Sequence, residues 1–188
     1  MEKKTIYCKN RKEWRDWLSH NFLTEYEIWF VFPLISSNEE GVTYNDAVEE
    51  ALCFGWIDGV AGSLDDTHTL RRFTPRRKGS TYSQLNIERL INLNNQNLIH
   101  PSIQKEIDKV ISVPFKFPKD ITRALQKDQE AWKNYQNYSE SYKRIRVAYI
   151  DAARHRKAEF KKRLENFVKK CHENKIITGY GGTDKYYR

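Results

Sequence analysis

Ala51–Arg77 reads ALCFGWIDGVAGSLDDTHTLRRFTPRR, and the change of pattern inside it decides the fold. Up to Phe54 the apolar positions keep a helical spacing. Beyond Gly55 two runs, WIDGVAG and THTLRRF, flank the polar loop Ser63-Leu64-Asp65-Asp66. A glycine after the last periodic residue stops a helix, and paired β-rich runs around a short acidic loop form a hairpin. With that loop, Trp56 lies opposite Phe73 and Asp58 opposite Arg71, both pairs on one face. A slip of one residue pairs Asp58 with Arg72 instead, so the charged pair survives either register.

Working outward, Thr43-Tyr44-Asn45-Asp46 has the form of a capping box and opens a helix from Tyr44 to about Phe54. Upstream, the run EIWFVFPL, ending just past Pro33, fits a buried strand. Before it, Arg11–Asn21 places Trp14, Trp17 and Leu18 on one side of a short helix. Downstream the pattern is helical: 82–93, 102–111, 119–127, 129–138 and a stretch from 139 to 172 that divides near His155, with Pro101, Pro114 and Pro118 as separators. The spacing therefore predicts an α+β fold, a small antiparallel sheet with a central hairpin packed by helices, followed by a helical C-terminal half. We read 1–188 as a single domain, with 1–95 the α+β part, 96–175 helical and 176–188 a tail. In that tail Gly179, Gly181 and Gly182 permit tight turns before two aromatic anchors, Tyr186 and Tyr187.

At 188 residues the chain can bury a core of its own, and five Trp, eleven Tyr and nine Phe supply the area. No apolar run approaches the roughly 20 residues of a membrane span, and the first ten residues lack the apolar region of a signal peptide, which points to a cytoplasmic protein without membrane insertion. The formal charge of +8 is local: residues 141–175 hold 12 Lys or Arg against 4 Asp or Glu, and the remainder balances. Cys8, Cys53 and Cys171 are widely spaced and read as reduced thiols, Cys53 as a small buried hydrophobe. The five histidines show no HxxxH or HExxH spacing, so no metal is predicted, and no phosphate-loop or dinucleotide fingerprint calls for a cofactor.

The candidate site gathers around the hairpin: Trp56, Asp58, Asp65, Asp66, Arg72, Phe73, Arg76, Ser83 and Asn86 combine carboxylates, guanidinium forks, a hydroxyl, an amide and aromatic rings within about thirty residues. A structural hairpin with an acidic turn and a cross-strand ion pair explains the same residues without any ligand.

ALCFGWIDG, then LDD, then RRFTPRRKGSTYSQLN and a helix continuing ERLI resemble the YdeI/OmpD-associated family, also described as bacteriocin-protection proteins. The likeness extends to Trp14-x-x-Trp17-Leu18, EIWFVFPL and the helical tail. The family pattern falls on Trp56, Asp58, Asp65, Asp66, Arg72, Phe73, Pro75, Arg76, Ser80, Ser83 and Asn86. Tyr82 stands where the family usually has Trp, and RHRKAEF at 154–160 replaces a KRPETR-like stretch. What the resemblance implies is a protective context with no settled chemistry.

Three roles follow. The first is a protein that binds a polar or anionic small molecule or peptide in a cleft between the hairpin and the helix after Ser80. The second is nucleic-acid binding through the basic 141–175 helices. The third is an enzyme with Asp58 or Asp65 as general base beside an arginine that clamps an anion.

Overall fold

The computed structural model describes residues 3–178 and 183–187. Its contacts gather into two compact units, one of residues up to Tyr82 with Arg89–Ile111, the other of Ser83–Glu88 with residues from Ser112 on.

The first unit holds β1 (Thr5–Tyr7), α1 (Arg11–Asn21), β2 (Ile28–Pro33), α2 (Tyr44–Cys53), β3 (Trp56–Ser63), β4 (His68–Pro75), most of α3 (Gln84–Asn95) and α4 (Pro101–Ile111). The strands form one sheet in the order β1-β2-β4-β3. The α+β class is as the spacing predicts, but the sheet is mixed: β1 runs parallel to β2, pairing Thr5 with Trp29 and Tyr7 with Val31. Three residues, Thr5–Tyr7 between Lys4 and Cys8, are too short for an alternation signal, which is why β1 escaped the pattern.

Helices cover one sheet face. Ile28 and Phe30 of β2 and Phe73 of β4 point into a core closed by Trp14 and Leu18 of α1, by Ala47, Val48, Ala51 and Leu52 of α2, and by Leu90, Leu93 and Ile107. Trp14 is its hub: fully buried, it donates its indole N–H to the Ala47 carbonyl at 3.0 Å and meets Phe30 edge-on at 4.9 Å. Thr43 caps α2 by accepting the Asp46 amide, as its capping box predicts. Two glutamates of α2, Glu49 and Glu50, are buried, and α1 answers them: the Arg11 guanidinium bonds Asp46 at 3.0 Å and Glu49 at 2.9 Å and also reaches Glu50, while Arg15 bonds Glu50 at 2.6 Å. Buried carboxylates require such partners.

The hairpin forms, with a different register. Trp56 faces Pro75, Asp58 faces Phe73, and Arg71 faces Ala61, with an irregularity between Asp58 and Ala61. The turn begins one residue later than predicted, after Ser63, and the bulge then admits an extra residue on β3. Asp65 anchors this turn, accepting the Thr67 amide at 2.7 Å and the Thr67 hydroxyl at 2.9 Å. His68 completes it: Nδ1 lies 3.0 Å from Asp65 and Nε2 lies 3.2 Å from Glu39 of the preceding loop. A carboxylate at each ring nitrogen favours the imidazolium.

The second unit is helical: the first turn of α3, then α5 (Lys119–Gln126), α6 (Gln129–Asn137), α7 (Glu140–Asp151) and α8 (Lys157–His172). The division near His155 appears as the break between α7 and α8. Its core joins Ile121, Leu125, Tyr135, Tyr142, Ile150 and Phe167 to Tyr186 and Tyr187 of the tail. The Ser139 hydroxyl donates to the Tyr187 carbonyl at 2.8 Å, and the Ser141 hydroxyl to that of Tyr186. Both tyrosine anchors are therefore docked, whereas the glycines Gly179, Gly181 and Gly182 lie outside the described residues. No helix among the described residues is long and apolar enough to cross a membrane.

Two expectations follow. Trp14→Ala empties the centre of the first core and removes a buried hydrogen bond, so urea unfolding should show a loss of about 3–5 kcal/mol; a loss below about 1 kcal/mol contradicts the packing described. The His68 ring has its pKa raised, chiefly by its hydrogen bond to Asp65. Its contribution is therefore complete below its ordinary pKa of about 6.5 and fades as pH rises through the higher folded value. Between about pH 6 and pH 9 the urea midpoint of the wild type should fall more steeply than that of His68→Asn, and equal slopes contradict the clamp.

Candidate functional site

Within the first unit the residues singled out from sequence do not converge on one place. Ser83 and Asn86 belong to the second unit, where the Ser83 hydroxyl accepts the Asn86 amide at 3.3 Å at the start of α3. Phe73 is fully buried in the first core. Asp66 is an exposed turn residue. Asp65 spends its oxygens on the turn, and those bonds, that from the Thr67 amide foremost, hold its pKa down at about 2, which leaves a weak base. Arg72 lies on the helix-free face and pairs with Glu27, its Nε 2.8 Å from the carboxylate. Arg71 shares a face with Asp58, but the two meet through a third residue: Tyr44 donates its hydroxyl to Asp58 at 2.6 Å while the Arg71 guanidinium lies 5.0 Å from the Tyr44 ring centre. The expected cross-strand ion pair is replaced by a carboxylate, a phenol and a guanidinium in series. Its cause is the turn register, in which Ser63 pairs with Thr69 and Arg71 therefore falls opposite Ala61.

Trp56 and Arg76 do come together. Both line a hollow of about 390 Å³ in the first unit, within the roughly 300–1,000 Å³ of small-molecule pockets. Its floor is aromatic and aliphatic: Phe22, Phe54, Trp56 and Ile107, all buried, with Ile103 beside them. The Trp56 indole donates to the Phe22 carbonyl at 3.1 Å, which fixes the ring. Leu23, Lys78, Tyr82, Ser102 and Glu106 complete the lining with Pro75 and Gly55.

Local backbone chemistry places Arg76 there. Gly55 takes φ +73°, which lets the chain reverse from α2 into β3, and its carbonyl accepts the Arg76 amide at 2.9 Å. The Arg76 guanidinium stacks 3.6 Å from the Tyr82 ring centre. One of its terminal nitrogens, Nη2, bonds the Ser80 hydroxyl at 3.0 Å and the Thr81 carbonyl at 2.8 Å. Its Nε–H is shielded from solvent and has no hydrogen-bond partner among the described residues. A guanidinium oriented on one side and unsatisfied at Nε is prepared for a planar anion. Tyr82 is thus the ring on which this arginine rests. Glu106 and Ser102 come from α4, about fifty residues from Trp56 in sequence, and no local signal connects them.

The basic segment 141–175 looks different once its partners are placed. Arg144 bonds Glu88 through Nε at 2.6 Å and Nη2 at 2.8 Å, Arg154 bonds Asp120 at 2.8 Å and Asp151 at 2.6 Å, and Lys143 bonds Glu140 at 2.8 Å. Arg163 bonds Glu159 at 2.7 Å and stacks 3.7 Å from the Tyr149 ring centre. Several of these acids lie outside 141–175 and were not counted in its local charge. Among the described residues Arg156, Lys157, Lys162 and Lys169 remain as exposed cations without an ion pair at contact distance. Arg163 also lines a hollow of about 260 Å³ in the second unit, but its fork there is already occupied by Glu159 and the Tyr149 carbonyl. All three cysteines are free and buried, and burial raises the Cys53 thiol to about 12, consistent with a packing role.

No curated protein and no solved structure matches the chain. Two family models do. Residues 114–174, within the helical unit, match the model described as Bacteriocin-protection, YdeI or OmpD-Associated, so the resemblance read from the sequence is met by the helical tail. The stretch that first suggested it, 51–86, falls instead within the match of the other model. That match spans residues 6–106, more than half of the chain, and the chain therefore belongs to the family described as Domain of unknown function (DUF8412).

Proposed function

We propose that the protein binds a small anionic ligand, or a peptide carrying a carboxylate, in the hollow of Trp56, Arg76 and Tyr82. The observation that carries this reading is the Arg76 guanidinium, oriented by Ser80, Thr81 and Tyr82, with its Nε–H shielded and without an acceptor beside an aromatic floor. Apolar surface supplies affinity and a few placed polar groups supply orientation, which is the usual division of labour in such sites. The description of the family matched by 114–174 names bacteriocin protection, and a cytoplasmic ligand-binding role within a protective response accords with it. A nucleic-acid role has less support, because Glu88, Asp120 and Glu140, outside 141–175, pair with three of its cations.

Calorimetric titration with phenylacetate and phenyl phosphate should detect binding to the wild type. Arg76→Gln should weaken it by about tenfold or more, as expected when a charge-assisted hydrogen bond is lost. Arg76→Lys, which keeps charge but not the fork, should fall between them. Equal affinities for wild type and Arg76→Gln, with both folded by circular dichroism, would remove the reading.

A further inference from the structure

The rim of the same hollow carries charges of both signs. Arg76 and Lys78 stand on the segment leaving β4, and Glu106 stands on α4. Among the described residues none of the three makes an ion pair, either with one another or with a neighbour, although Arg11, Arg15, Arg72, Arg144 and Arg154 all have carboxylate partners. Two cations and an acid that line one hollow without meeting leave room for something between them. The phenol of Tyr82 feels both signs: burial raises its pKa, Arg76 lowers it and Glu106 raises it. Ser102, at the start of α4, adds a hydroxyl to the lining.

We propose that the hollow takes an amphoteric ligand, a free amino acid or dipeptide with a large apolar side chain, whose carboxylate meets Arg76 and Lys78 and whose ammonium meets Glu106. The side chain lies over Phe22, Phe54 and Trp56. This rests on the anion-binding reading above and sharpens it, since an ammonium recognised by Glu106 separates amino acids and peptides from simple organic acids. The size agrees: about 390 Å³ accommodates one or two residues. Two opposite charges recognised together also reject neutral and singly charged competitors, because each missing group leaves a partner unpaired.

The test compares L-phenylalanine and phenylalanyl-phenylalanine with their N-acetylated forms, which keep the carboxylate and lose the ammonium. Calorimetry on the wild type should show at least one zwitterion binding roughly tenfold or more tighter than its acetylated counterpart. In Glu106→Gln the preference should fall towards parity. Glu106 is exposed, and unchanged melting of the free variant verifies its fold. Equal affinity of free and acetylated forms for the wild type, or an unchanged preference in Glu106→Gln, overturns the amphoteric assignment while leaving carboxylate binding intact. If no carboxylate in the set binds, both readings fall together.

Discussion

A left-handed glycine determines where the candidate site lies. Gly55 at φ +73° ends α2 and starts β3, and its carbonyl takes the amide of Arg76 at the far end of the hairpin. That single bond holds the first residue of β3 and the first residue past β4 side by side, so Trp56 and Arg76 face one hollow although twenty residues separate them. A side chain at Gly55 would meet the left-handed penalty of about 1–2 kcal/mol, and its Cβ would contact Ile103 at 3.5 Å. Backbone geometry, aromatic floor and oriented guanidinium are thus linked through one peptide group.

Charge is used in two different ways in this chain. Glu49 and Glu50 are buried against Arg11 and Arg15, and their work is to fix α2 on α1. Arg144 and Arg154 likewise end on Glu88 and Asp120. Such pairs exhaust their members, and a net charge counted along the sequence misrepresents them when the partners lie elsewhere. Around Arg76 the pattern reverses: its polar contacts are carbonyls and a hydroxyl, which orient the guanidinium without neutralising it. Orientation without neutralisation leaves the Arg76 charge available to the hollow.

Much of the architecture was legible because it rests on local chemistry. The periodicity of Trp14, Trp17 and Leu18, the Thr43 cap and the Gly55 stop each act within a few residues, and α1 and α2 lie where those signals place them. The hairpin was legible as a hairpin, but its register is set at the turn, where Ser63 pairs with Thr69, and adjusted by a bulge between Asp58 and Ala61, neither of which alternation alone reveals. The register at the turn carries Arg71 to Ala61, and Asp58 is met by Tyr44 instead. Of the candidate site, Trp56 and Arg76 were visible through their unusual company near Gly55, whereas Glu106 and Ser102 arrive on α4 by tertiary packing. Ser83 and Asn86 were grouped with them by nearness in sequence, yet they form the start of α3 in the other unit.

The central claim is that the Nε–H of Arg76 is held ready for an anion, and arginine side-chain NMR reads that atom directly. On addition of an aromatic carboxylate to the labelled protein, the Arg76 Nε–H resonance should move downfield and exchange more slowly with water, while that of Arg163, already bonded to Glu159, stays in place. An Arg76 resonance that remains fixed while those of other arginines shift would contradict the account.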